Sequence, residues 1–167
     1  MKIMLALICA IAVAPVASGA DRPKLILDTD SANEIDDMYA IVRMLRQDKF
    51  EILGLNSTQW LHYLGDPKSV QASQAVNEEL LRLLGRTDLR SHLGSKEPMG
   101  KPWGGDEPKD SAAARFIIDQ ARALPDGERL HVVCLGATTN LATAIKLAPE
   151  IAPRIRAYLM GFRYDVA

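Results

Sequence analysis

Five acidic residues fall within ten positions: Asp28, Asp30, Glu34, Asp36 and Asp37. No Lys or Arg interrupts the chain between Lys24 and Arg43. Like charges at this density repel, so a compact fold must protonate some of these carboxylates, leave them in water or bring a cation among them. Carboxylate oxygens suit a hard divalent ion such as Ca²⁺ or Mg²⁺. Helix capping is the competing explanation, because acidic residues are favoured in a first helical turn and an Asp there can accept from free N–H groups. That covers Asp36 and Asp37. It does not cover Asp28 and Asp30, which close the apolar run Leu25-Ile26-Leu27. The pattern predicts a metal site at a strand end.

The elements that must position these carboxylates are readable on either side. Leu25 to Leu27 predict a strand, and Ile35, Met38, Ile41, Val42 and Leu45 recur at helical spacing, so a helix begins near Asp36. A strand, an acidic loop and a helix start form the unit in which open α/β sheets hold their ligands. Residues 51–55 predict a second strand that ends in the polar run Asn56-Ser57-Thr58-Gln59, followed by a loop over 60–66. Pro67 opens a helix with Val70, Val76, Leu80, Leu83 and Leu84 on its apolar face, Ser73 among them and Gly85 as its stop. Residues 88–93 predict a short strand. Residues 94–111, rich in Gly, Pro and charge and containing Trp103, read as one irregular loop, either a binding lid or a surface excursion. Ser111 is placed to cap a helix that turns Ala114, Ile117, Ile118, Ala121 and Leu124 inward. Pro125-Asp126-Gly127 reads as a turn, and residues 130–135 as a strand apolar enough to be covered on both faces. A helix over 141–147 and a last strand over 156–160 follow. Strands and helices alternate without an internal repeat, which predicts an α/β fold: an open, mainly parallel, Rossmann-like sheet with helices on both faces.

The N-terminal segment is separate. Lys2, the 14-residue apolar stretch Ile3 to Val16 and the small residues Ser18-Gly19-Ala20 have the three-part form of a secretory signal, too short for a membrane span. Residues 1–20 are therefore read as a signal peptide and 21–167 as the α/β domain, exported to the periplasm or secreted. Removing the signal leaves 19 basic against 21 acidic residues, a net charge of −2 with no basic patch, so neither nucleic acid nor an anionic membrane is an expected partner. Cys9 leaves with the signal, and Cys134, set in Val132-Val133-Cys134-Leu135, reads as a buried core thiol.

Three stretches resemble the inosine-uridine-preferring nucleoside hydrolase family, in that family's order. Leu27-Asp28-Thr29-Asp30 followed by Ile35-Asp36-Asp37 is similar to its N-terminal aspartate signature. Leu135-Gly136-Ala137-Thr138-Thr139-Asn140 is similar to its strand end of LGPLTN type. Pro149 to Ile155 leads, as in the family, to a strand closing in Leu159-Met160-Gly161. The resemblance implies a calcium-dependent hydrolase that splits a ribonucleoside into ribose and free base. It implies Asp30 as metal ligand and general base, Asp37 as second carboxylate ligand, and Thr139 as a ligand through its backbone carbonyl. It further implies Asp36 as a contact to the ribose hydroxyls and Asp28 as support behind them. Asn56 and His62 are candidates for a further ribose contact. His92 and His131 are read as structural.

The departures are informative. The interval from Asp30 to Asp36 is longer than the family's usual one, and members continue well beyond residue 167, where they supply another aspartate ligand and a histidine that protonates the leaving base. The chain thus resembles the N-terminal part of such an enzyme, a piece expected to expose a sheet edge and apolar surface open to self-association. Two other readings compete. A haloacid-dehalogenase-like phosphatase also places Asp-x-Asp after its first strand, but that pattern wants Thr or Val where Ala32 stands and has no use for Asp36-Asp37. A non-catalytic, exported metal- or sugar-binding fragment is the other.

Overall fold

Leu25, Ile26 and Leu27 alternate across β1 (Lys24–Thr29) and enter two different cores. The computed structural model describes residues 22–60, 68–99 and 105–160. The signal-like segment, His62, Pro67 and Trp103 lie outside the described residues. Leu25 and Leu27 pack with Ile41 and Leu45 of α1 (Ile35–Leu45), Leu55 of β2 (Glu51–Ser57) and Leu81 of α2 (Ser69–Leu83). Ile26 packs on the opposite face. There it meets Val132 of β4 (Leu130–Cys134), Ile117 and Ile118 of α3 (Ala112–Ala123), and Leu141 and Ala144 of α4 (Thr139–Leu147). A strand buried on both faces must read as a continuous apolar run, and β1 does. Each such side chain contributes roughly 1.5–3 kcal/mol by leaving water.

Two further strands, β3 (Ser91–His92) and β5 (Ile155–Leu159), complete a parallel sheet of order β3-β2-β1-β4-β5 among the described residues. A short 3₁₀ helix, Pro149–Arg154, leads into β5. The chain therefore steps outward from β1 to β3, returns past β1, and steps outward again on the other side. Order reverses between β1 and β4, and loops leaving the carboxyl ends of two such strands diverge to leave a crevice. The acidic loop after β1 and the glycine-containing loop after β4 meet there. At the β5 edge, Tyr158, Leu159 and Met160 are exposed, as expected of an open sheet edge. No helix among the described residues is long and apolar enough to cross a membrane.

Local signals explain the helix ends. Ser111 Oγ accepts from the Ala114 amide at 3.2 Å, the N-cap its position predicts. Gly85 takes φ +66°, the left-handed conformation that ends α2. Cys134 is buried and unpaired, and burial pushes its thiol pKa up. His131 accepts or donates at Nδ1 with Tyr158 Oη, 3.1 Å away, while His92 stacks on Phe116, so both histidines have structural partners.

Two expected inward positions are corrected. Leu83 is 64 % exposed and Leu81 is buried in its place, while Ile35, at the head of α1, is also exposed. The inward line of α2 is Ser69, Ser73, Asn77 and Leu81, four residues apart, and three of those four are polar. Counting only apolar residues therefore rotates the helix by part of a turn. Leu81→Ala should cost about 2–4 kcal/mol in denaturant unfolding, whereas Leu83→Ala should stay within roughly 0.5 kcal/mol. Equal costs would show that the helix faces the sheet the other way.

Candidate active site

The carboxyl end of β1 carries Asp28, Thr29 and Asp30 to the sheet's switch point, and backbone bonds from the segments after both neighbouring strands fix them. The Leu135 amide donates to Asp28 O at 2.8 Å and the Thr58 amide to Thr29 O at 2.9 Å. The Asn33 amide donates back to Asp30 O at 2.7 Å, closing the acidic loop as a turn.

Asp28 is wholly buried. Asn140, on the first turn of α4, donates through Nδ2 to Asp28 Oδ1 at 3.1 Å and to Ser57 O at 3.0 Å. Asp28 Oδ2 has no hydrogen-bond partner among the described residues. Burial pushes this carboxyl up to about 7. The Asn140 and Asn56 amides oppose that rise, and the Asp30 charge adds to it. Asn56 stands opposite Asp28 in the β1–β2 register. It is fully enclosed, and neither its Oδ1 nor its Nδ2 completes a hydrogen bond, so it lies near enough to Asp28 to favour the carboxylate without bonding well to it.

Asp30 and Asp37 come together although seven positions apart, because the turn folds the first coil of α1 back over the end of β1. Asp30 is 8 % exposed and Asp37 5 %. Burial raises both carboxyls. The Asp30 and Asp36 charges raise Asp37 further, while the Asn33 amide, donating to Asp30 Oδ2 at 3.2 Å, restrains Asp30. Each carboxyl acts on the other, so the two titrate as one buried pair whose members are both held above the usual carboxylate range. Asp36 is exposed on the same turn.

The loop after β4 closes the other wall. A Cβ on Gly136 would overlap the Asp30 carboxylate, so only glycine admits that carboxylate here. Thr139 opens α4, is buried, and accepts at Oγ1 from Gln59 Nε2 at 2.8 Å. Thr58 Oγ1 donates to Ala137 O at 2.9 Å, joining the β2 and β4 loops. Asp28, Asp30 and Asp37 are thus brought together, Thr139 stands at the neighbouring helix start, Asp36 faces solvent and Asn56 is enclosed. His62 lies outside the described residues. Asn140, Asn77 and Gln59 were not singled out by sequence reasoning. Each is a buried amide: Asn140 on the first turn of α4, Gln59 just past β2 and Asn77 in the middle of α2, where the polar line Ser69-Ser73-Asn77 is the signal that marks it.

The donor set fits a hard cation in kind. Asp37 Oδ2 is buried without a hydrogen-bond partner among the described residues, beside a second carboxylate, and every candidate donor is oxygen. No three His, Cys, Asp or Glu side chains gather at metal-binding distance among the described residues, so two carboxylates and one carbonyl leave most of a calcium coordination sphere to other oxygens.

These burials set a pH dependence. Asp28 keeps its proton up to about 7 in the native chain but ionises near 3.8 when unfolded, so the native state binds more protons between those values. Stability present below pH 4 is therefore lost as pH rises towards 7. In calcium-free buffer the Tm of the parent minus that of Asp28→Asn should fall by roughly 3–8 °C between pH 4 and 7.5. Parallel curves would contradict a proton held on Asp28.

The family profile for inosine-uridine preferring nucleoside hydrolase matches residues 25–166. Among curated relatives, a probable uridine nucleosidase 2 of Arabidopsis thaliana is 30 % identical, covering 87 % of this chain and 49 % of its own. The pyrimidine-specific ribonucleoside hydrolase RihB of Escherichia coli strain SE11 is 28 % identical, covering 86 % of this chain and 49 % of its own. Among solved structures, a purine-preferring ribonucleoside hydrolase from Gardnerella vaginalis superimposes with a TM-score of 0.62 at 28 % identity, over 83 % of this chain and 48 % of that one. The chain spans about half the length of the relatives it matches. With a family profile running from the first residues of β1 past the end of β5, this chain belongs to the inosine-uridine preferring nucleoside hydrolase family.

Proposed function

We propose that this chain carries the cation-binding and water-activating part of a calcium-dependent nucleoside N-ribohydrolase. The observation that carries the reading is the buried Asp30–Asp37 pair at the sheet's switch point, set against a glycine that leaves room for nothing larger. Asp30 and Asp37 would hold the ion through their carboxylates and Thr139 through its carbonyl. A bound calcium ion would lower the pKa of a water and fix its direction.

The protein's own groups then perform two tasks. Asp30, restrained by Asn33 and kept beside Gly136, accepts a proton from the attacking water. The water oxygen bonds to the anomeric carbon, the C1′–N bond breaks, and its electron pair leaves with the base. The proton lost by the water balances the one the departing base requires. Positive charge develops on the sugar in passing, and the carboxylates along the turn stabilise it. Asp36, exposed at the head of α1, is available to the ribose hydroxyls, and Asp28 supports the turn from behind. Relatives named for uridine, pyrimidine and purine substrates support a nucleoside as the substrate class.

Ribose release from uridine, cytidine and inosine tests this. With calcium present, Asp30→Asn should lower kcat by about 10²-fold or more, and chelator should abolish turnover. Gly136→Ala, which displaces the Asp30 carboxylate, should approach the loss seen with Asp30→Asn. Release that ignores chelator and both substitutions would overturn the mechanism. Calcium binding without ribose release would favour a non-catalytic binding role. Export is part of the proposal, and N-terminal sequencing of the processed chain should begin at Asp21. An uncut N-terminus in the cytoplasm would remove it.

A further inference from the structure

Buried polar residues on a helix that packs on a sheet need an explanation, since an apolar side chain of similar size would satisfy the packing without requiring partners. On α2, Ser69, Ser73 and Asn77 are all buried in one line, ending one turn before Leu81. Asn77 is fully enclosed and uses the whole hydrogen-bonding capacity of its carboxamide. Its Oδ1 accepts from Ser31 Oγ at 2.8 Å and from Thr29 Oγ1 at 3.2 Å. Its Nδ2 donates to Asn56 O and to Ser91 Oγ, each at 3.3 Å. One side chain thus ties the carboxyl ends of β1, β2 and β3 to α2. None of its four bonds goes to a carboxylate, yet the two hydroxyls it holds belong to the residues immediately before and after Asp30.

We infer that Asn77 is the positioning residue for the acidic turn: by gripping Thr29 and Ser31 together it fixes the direction in which Asp30 leaves β1. This inference rests on the nucleosidase reading for its link to calcium and turnover, and on the geometry alone for its link to the turn. A buried carboxamide with all four of its hydrogen-bonding positions taken holds its partners in one low-energy arrangement. Without the Asn77 acceptor, Thr29 Oγ1 loses this partner and Ser31 Oγ keeps the longer bond to Ser73 O at 3.2 Å, so the turn is held less tightly before and after Asp30. Displacing a carboxylate by about 1 Å costs ligand affinity and rate without any direct loss of a ligand.

The test compares the full chain with Asn77→Ala, the milder Ser31→Ala, and Leu81→Ala, which loosens the same helix through its apolar end. Three quantities are read: Tm, the Kd for Ca²⁺ by calorimetry, and amide hydrogen exchange at Ser31 to Asn33 relative to β4. Asn77→Ala should weaken Ca²⁺ by about 10-fold or more and speed exchange in the turn by a similar factor. Ser31→Ala should move both in the same direction by a smaller factor. Leu81→Ala should lower Tm at least as much while leaving the Kd and the relative exchange of the turn within about twofold. Equal responses to Asn77→Ala and Leu81→Ala would make Asn77 a packing residue and overturn the inference, as would an unchanged turn in Asn77→Ala. Should Asn77→Ala fail to fold, Ser31→Ala against Leu81→Ala decides by the same criteria. A parent that binds no Ca²⁺ refutes the nucleosidase reading instead, and turn exchange then decides the role of Asn77 by itself.

Discussion

Three carboxylates lie buried within ten positions at the end of the sheet's central strand, and among the described residues no basic side chain is one of the principal groups acting on them. An uncompensated buried charge costs several kcal/mol, so the native chain has two stable choices: hold protons there or hold a cation. Neutral donors go part of the way. Asn140 serves Asp28, Asn33 serves Asp30, and burial raises both Asp30 and Asp37 so that the pair retains a proton more readily. What remains, Asp28 Oδ2 and Asp37 Oδ2, is oxygen without a donor among the described residues. The arrangement spends stability to keep a set of oxygens ready, a cost that makes sense where a ligand later offsets it.

The surrounding fold follows from where that set must sit. β1 needs neighbours on both edges and helices on both faces to bury its apolar stretch, and the reversal of strand order beside it opens the crevice into which Asp30 projects. The start of α1 then brings Asp36 and Asp37 to the same place, where the helix dipole favours negative charge. Glu34, at the N-cap, makes no side-chain cap bond, so capping does not account for the acidic run as a whole. Amides that face the strand ends, Asn77 from the middle of α2 and Asn140 from the first turn of α4, carry the polar load that the apolar layers cannot.

Much of this was legible in the chain itself. Apolar runs marked β1, β2 and β4, Ser111 and Gly85 marked helix ends through a cap and a left-handed residue, and Asp28 and Asp30 stood out because strand ends seldom carry paired charge without use. The inward face of α2 was only partly legible from apolar spacing: Val70 is buried as expected, but Ser69, Ser73 and Asn77 share that face and Leu81, not Leu83, completes it. Long-range pairing was also hidden. Nothing in the sequence alone shows that Asn140 would meet Asp28, 112 residues away, or that Gly136 would lie against Asp30. Asn56 was expected at a sugar and stands enclosed beside Asp28, since the β1–β2 register puts the two side by side.

The central claim is that these carboxylates hold protons which a divalent ion replaces. Calorimetric titration of the chain with Ca²⁺ at pH 6, repeated in buffers of differing protonation enthalpy, counts the protons released on binding. The account predicts release of about one proton per ion, lost together with binding in Asp37→Asn. Calcium binding with no proton released, or no binding at saturating calcium, would contradict it.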